Sequence, residues 1–286
     1  MRDYIYMKNL ITRAITGAIY VLLLVGCTVY SPVSAFFFFA VVTALTLWEF
    51  GTIMNRHAGA GITRSINAMA GVVLIGAVWL STIASETTAQ MFALYGLLLL
   101  YILISELYRK ADNPIRNWTL TFASHLYIAL PFSLLPLLSV SYNAEENALA
   151  YNWIYPLALF IFIWVNDTFA YLCGCSLHNI FPAKLFPRIS PKKSWVGSIG
   201  GGLFTVGASL LIWWWQPELM PAWRWIGFAL VVVLAGTWGD LVESLIKRQL
   251  GIKDSGSILP GHGGMLDRFD SALLAIPATV IYFILT

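Results

Sequence analysis

Residues 225–246 read W-I-G-F-A-L-V-V-V-L-A-G-T-W-G-D-L-V-E-S-L-I, with no ionisable side chain before Asp240. About 20 apolar residues, each rising 1.5 Å in a helix, cover the hydrocarbon core of a bilayer. The stretch therefore reads as a membrane span with Asp240 and Glu243 in its last two turns. Eight more stretches have the same character, at 12–30, 34–55, 66–82, 88–105, 118–140, 153–175, 195–215 and 269–285. The first is too long for a signal peptide and lacks a small-residue cleavage site. Pro131 and Pro136 are tolerable inside a span because neighbouring groups re-satisfy the backbone. Composition agrees: of 286 residues 59% are apolar or aromatic and 11% charged, with mean hydropathy +0.75. Soluble domains are about 25% charged, and so few charges could not clothe a core this large. An ordinary cytosolic enzyme, a secreted disulfide scaffold and a nucleic-acid binder are excluded. Three cysteines (Cys27, Cys173, Cys175) cannot build a disulfide framework. The expected fold is an all-α integral membrane protein of about nine transmembrane helices. It reads as one polytopic domain, 1–286, with N-terminal helices in 1–150 and C-terminal helices in 151–286. Its longest polar intervals are 176–194 and 247–268.

Charge fixes the expected orientation. With the N-terminus cytoplasmic, every one of the 17 Lys and Arg residues except Arg224 falls inside, while Glu86, Glu145, Glu146 and Glu218 fall outside. This is the positive-inside distribution, and one missed or invented span would scramble it.

An acid at the centre of a membrane helix costs about 2.5–3.5 kcal/mol on insertion scales. Glu49, Asp167, Asp240 and Glu243 lie within the expected spans, all in the cytoplasmic half, where they can share one polar cavity. Asp240, Glu243, Ser244, Lys247 and Arg248 follow one helical stripe, with acids deep and cations at the mouth.

Beyond this stripe come Lys253-Asp254-Ser255-Gly256, then Gly261-His262-Gly263-Gly264, then Asp267-Arg268-Phe269-Asp270. Glycines let backbone approach a ligand closely and turn its N–H groups inward. Asp267 and Asp270 can cap the last helix or bind a hard divalent cation through oxygen. Cations, glycines and carboxylates in one stretch are what a Mg²⁺–polyphosphate site needs. Ser190-Pro191-Lys192-Lys193-Ser194 precedes the seventh span; it suits either an anion at a helix N-terminus or a positively charged anchor.

Residues 244–270, S-L-I-K-R-Q-L-G-I-K-D-S-G-S-I-L-P-G-H-G-G-M-L-D-R-F-D, resemble the signature of the phosphatidate cytidylyltransferase (CDP-diglyceride synthetase) family. Asn166-Asp167-Thr168 with Ala170-Tyr171, and Ser190 to Lys193, resemble its other two motifs in order and spacing. The chain departs from the family's usual pattern at Phe169, Ser194 and Val196. The resemblance implies a Mg²⁺-dependent transfer of CMP from CTP to phosphatidic acid at the cytosolic face of the inner membrane, within a lipid environment. It leaves room for a second, monovalent cation and for a homodimer, and gives no role to nucleic acid. On this reading Asp240 and Asp267 are the principal metal ligands, with Asp270 a further ligand or a group behind the ligands, and Asp167 a further ligand or the partner that orients a basic residue. Lys247 and Arg248 hold substrate phosphates. Ser244, Lys253, Asp254, His262, Gly263, Gly264 and Arg268 contact the triphosphate or leaving group, and Ser190, Lys192 and Lys193 assist with nucleotide phosphate. A transporter is the rival class, but the acids gather at one face rather than at a midplane. No Gly-Lys pair occurs, hence no P-loop, and no H-E-x-x-H motif. His125 reads as a packed neutral side chain.

Overall fold

A computed structural model describes residues 2–143, 148–177, 179–261 and 263–286, the side chains of 2–11, 142 and 143 excepted. His178, His262, Glu145 and Glu146 lie outside the described residues. Among those described, nine helical spans are long and apolar enough to cross a membrane: Thr12–Tyr30, Pro32–His57, Arg64–Thr82, Thr88–Arg109, Pro114–Ser139, Ile154–Leu177, Trp195–Trp215, Ala222–Gln249 and Leu266–Leu285. The chain is an all-α integral membrane protein.

It forms two compact units. Leu250–Phe269 groups with the N-terminal helices. The first unit comprises Met1–Trp153 and Leu250–Phe269. It holds α1 (Arg2–Tyr30), α2 (Pro32–His57), α3 (Arg64–Thr82), α4 (Thr88–Arg109) and the fifth span. Ser31 starts α2 through a reciprocal capping box with Ser34, and Pro32 supplies the pre-set first turn. The core gathers Phe39, Leu47, Ile75, Ile128, Phe132 and Phe269, all at most 3% exposed.

The fifth span differs from the single helix expected at 118–140. It runs as α5 (Pro114–Ser124), a π-helical turn His125–Ala129, then the short α6 (Leu130–Ser133) and α7 (Leu135–Ser139). Pro131 and Pro136 lack the N–H that would continue the ladder, so the helix breaks into segments around them. A hairpin of β1 (Val140–Asn143) and β2 (Ala148–Tyr151) follows, Val140 opposite Tyr151.

Helix α4 also runs four residues past its expected end and carries Glu106, 7% exposed, as another acid within a span. Glu106 pairs with Arg109 at 2.5 Å and accepts from Asn117 Nδ2 at 2.8 Å. Arg109 donates to the Gly61 carbonyl and Asn117 Oδ1 accepts its N–H, which fastens the α2–α3 turn.

The second unit comprises Ile154–Gln249 and Asp270–Thr286. It contains α8 (Ile154–Leu177), a hairpin of β3 (Lys184–Phe186) and β4 (Ser190–Ser194), α9 (Trp195–Trp215), α10 (Ala222–Gln249) and most of α11 (Leu266–Leu285). Trp225, Phe162, Phe228 and Phe283 form a chain of ring contacts at its core. Close approach of α8 and α9 depends on glycine, because a Cβ at Gly197 or Gly201 would lie 2.6 Å from the carbonyl oxygen of Ala170 or Asn166. Phe169 stacks flat on Phe204 with centroids 3.8 Å apart.

Packing at the α8–α9 seam predicts opposite behaviour for two glycines of α9. Gly201→Ala forces the helices apart and costs about 1–3 kcal/mol. Gly207→Ala meets nothing within 4 Å and leaves stability unchanged or raises it. Thermal denaturation in detergent separates the two; equal loss would contradict the account.

Candidate functional site

In the second unit, α8, the β3–β4 hairpin, the start of α9 and α10 enclose a cavity of about 660 Å³. Its walls include Asp167, Tyr171, Lys184, Lys192, Lys193 and Asp240. The cavity thus unites Asp167, Lys192, Lys193 and Asp240, to which the sequence gives site roles, and adds Lys184. The hairpin carries Lys192 and Lys193 to the wall. Ser194 ends it and caps α9, its Oγ accepting from Gly197 N–H at 3.2 Å. That role needs only a hydroxyl, which serine supplies.

Lys193 Nζ stands 2.5 Å from Asp240 Oδ2 and 3.4 Å from the Thr237 carbonyl. Ser244 Oγ donates to Asp240 Oδ1 at 3.2 Å, one turn along the same helix. Glu243, fully buried, pairs with Lys247. The expected stripe on α10 therefore exists as a chain of contacts. Arg248 lies exposed at the helix end, and Ser190 is half-buried in β4.

Asp270 enters from α11. Ligand oxygens of Asp240, Glu243 and Asp270 all lie within 4.8 Å of one another. The approach of α10 to α11 makes this geometry: a Cβ at Gly239 would fall 2.5 Å from the Asp270 carbonyl oxygen. Three carboxylates from two helices, all oxygen donors, fit a hard cation such as Mg²⁺. Glu243 was visible in the sequence stripe without a ligand role; its spacing from Asp240 was the available signal.

Asp267 belongs to the first unit. Its Oδ2 accepts the N–H groups of Ser255 at 2.9 Å and Gly264 at 2.8 Å, closing the signature loop on itself. Leu259 N–H donates to the Gly263 carbonyl at 3.1 Å, with Gly261 and Gly263 at φ +76° and +82°. Glycine is required at both, since side chains rarely adopt that backbone. This loop lines a second cavity of about 510 Å³ with Arg13, Asp254, Gly263 and Arg268. Arg13 Nε holds the Gly261 carbonyl at 2.8 Å, a contact without a sequence motif. Lys253 is exposed and Gly264 buried.

Residues 11–286 match the Cytidylyltransferase family. The chain is similar to a protein named phosphatidate cytidylyltransferase from Staphylococcus aureus (strain COL), 44% identical over 130 residues, covering 46% of this chain and 49% of the relative. The protein of the same name from Staphylococcus epidermidis (strain ATCC 12228 / FDA PCI 1200) is 42% identical over 132 residues, 46% of this chain and 50% of the relative. That of Staphylococcus haemolyticus (strain JCSC1435) is 39% identical over 130 residues, with 46% and 49% covered. The chain spans about half the length of the curated relatives it matches.

Two backbone N–H groups on one oxygen make Asp267 a loop clasp whatever else it does. Asp267→Ala should increase proteolytic cleavage within 255–264 about tenfold, whereas Asp267→Asn, which keeps an acceptor oxygen, should stay near wild type. Identical cleavage of the alanine variant and wild type would remove the clasp.

Proposed function

The chain belongs to the Cytidylyltransferase family, and from that premise we propose that it transfers CMP from CTP to phosphatidic acid, releasing pyrophosphate and forming CDP-diacylglycerol. A phosphatidate oxygen attacks the α-phosphorus of CTP in line, and the bond from that phosphorus to the bridging oxygen of pyrophosphate breaks. The nucleophile is already ionised at neutral pH, so no general base is needed. The barrier that protein can remove is repulsion between two phosphate compounds. Each pair of unit charges at 4 Å costs about 4 kcal/mol at an effective dielectric of 20, which is about 10³ in rate.

The observation that carries this reading is the carboxylate trio beside a lysine-lined cavity. Asp240, Glu243 and Asp270 would hold Mg²⁺. When bound, the ion supplies charge neutralisation at phosphate oxygens. Lys184, Lys192 and Lys193 offer ammonium groups to nucleotide phosphates within the cavity. Lys247 and Arg248, at the end of α10, suit the phosphate of phosphatidate at the membrane surface. Lys193 and Lys247 already neutralise the acids, so a phosphate ester can draw on ammonium groups standing in place. Positioning and charge do the chemistry here rather than covalent catalysis. The distribution of basic residues supports a cytosolic site, where CTP is found, in a protein of the inner membrane.

Purified protein in detergent, given CTP, phosphatidate and Mg²⁺, should form CDP-diacylglycerol and pyrophosphate in equal amounts, and chelation of the metal should stop it. Asp240→Asn and Asp270→Asn should each lower turnover by about 10² or more, equivalent to about 2.7 kcal/mol of transition-state stabilisation. Lys247→Ala should weaken substrate use while Lys110→Ala, in a different turn of the chain, should not. Absence of product from folded wild-type protein would overturn the proposal, and full activity of Asp270→Asn would overturn the ligand assignment.

A further inference from the structure

Glu49 sits on α2, within a span and 4% exposed, far in sequence from every motif of the signature. Its carboxylate gathers three donors from one loop. Oε1 accepts from Ser255 Oγ at 2.5 Å and from Leu266 N–H at 3.0 Å, and Oε2 accepts from Met265 N–H at 2.9 Å. Leu266 is the first residue of α11. The first N–H groups of a helix have no partner within it. Here an acid from another span fills the place of a capping side chain, and its negative charge suits the positive end of the helix.

The loop is shaped to admit this carboxylate. A Cβ at Gly264 would lie 2.0 Å from Oε1, and one at Gly256 would lie 2.5 Å from Oε2. Ser255, 5% exposed, is held twice, its hydroxyl by Glu49 and its N–H by Asp267. Two carboxylates thus grip one loop, one from within the signature and one from outside it. The same loop lines the 510 Å³ cavity with Asp254 and Gly263, and Arg268 joins them.

We infer that Glu49 is a positioning residue for CMP transfer: by holding Ser255, Met265 and Leu266 it sets the shape of the signature loop and the start of α11. The inference rests on the proposed activity for its catalytic consequence and on geometry alone for the loop. Glutamine at 49 keeps one oxygen but turns an NH₂ group toward a backbone or hydroxyl donor, so the grip fails on one side. Ser255→Ala removes one donor and leaves the carboxylate and both backbone bonds.

Two readouts test it: amide hydrogen exchange in the metal-free protein, and kcat with KM for CTP and phosphatidate. Glu49→Gln should speed exchange about tenfold in 254–261 and 263–266 while leaving 195–215 unchanged. It should lower kcat at least tenfold with KM for phosphatidate within about twofold. Ser255→Ala should show the same pattern at about two- to fivefold, and the double variant should be no worse than Glu49→Gln alone. If Glu49→Gln does not fold, Ser255→Ala must still show both local exchange and loss of kcat. Unchanged exchange in the loop, uniformly faster exchange throughout the chain, or wild-type kcat in both variants overturns the inference. A wild-type protein that makes no CDP-diacylglycerol overturns the proposed activity instead, and the exchange comparison then still decides whether Glu49 holds the loop.

Discussion

A carboxylate drawn into the membrane must be given partners, and that requirement organises both units. Burying an unpaired ion costs several kcal/mol even after the surroundings relax. Four of the acids placed at depth are met accordingly: Glu106 by Arg109 and Asn117, Glu49 by three donors, Asp240 by Lys193 and Ser244, Glu243 by Lys247. The solutions are of two kinds. In the first unit, Glu49 and Asp267 spend their oxygens on backbone and hydroxyl donors, and the outcome is a fixed loop. In the second, Asp240 and Glu243 are balanced by the ammonium groups of Lys193 and Lys247. The first arrangement is architectural and the second suits chemistry between anions.

Helix packing serves the same division. Gly197 and Gly201 bring α8 and α9 together beneath the cavity, and Gly239 lets α11 approach α10 closely enough for Asp270 to join Asp240 and Glu243. A methyl group at any of these positions would meet a carbonyl oxygen at 2.5 or 2.6 Å. Such contacts leave little slack in a well-packed interior, so the distances among the acids are set by backbone, not by side-chain choice.

Much of this is legible in the chain itself because its signal is local. Apolar runs locate the spans: the segment expected at 12–30 ends with α1 at Tyr30, and that at 195–215 is Trp195–Trp215. The stripe on α10 follows from helical spacing, and its contacts are present. The break in the fifth span is less legible, since proline marks a disturbance without saying whether a bend, a π-turn or separate segments will result. The end of α4 is also less legible, because Glu106 looks like a polar boundary until its partners Arg109 and Asn117 are seen. Glu49 illustrates the other limit. Its acid was visible as an anomaly at depth, but its partners lie 206 to 217 residues away, and no periodicity carries that information. Asp267 likewise reads as a ligand or a cap from its position; that it clasps Ser255 and Gly264 depends on the loop's path through space.

On the proposed function, Asp240, Glu243 and Asp270 together gather a divalent cation so that phosphate compounds can meet. The most direct test is Mn²⁺ binding followed by electron paramagnetic resonance, on purified protein with a non-hydrolysable CTP analogue. Saturable binding in wild type, weakened at least tenfold in both Asp240→Asn and Asp270→Asn, is the predicted result; Mn²⁺ held equally by wild type and the double variant would contradict it.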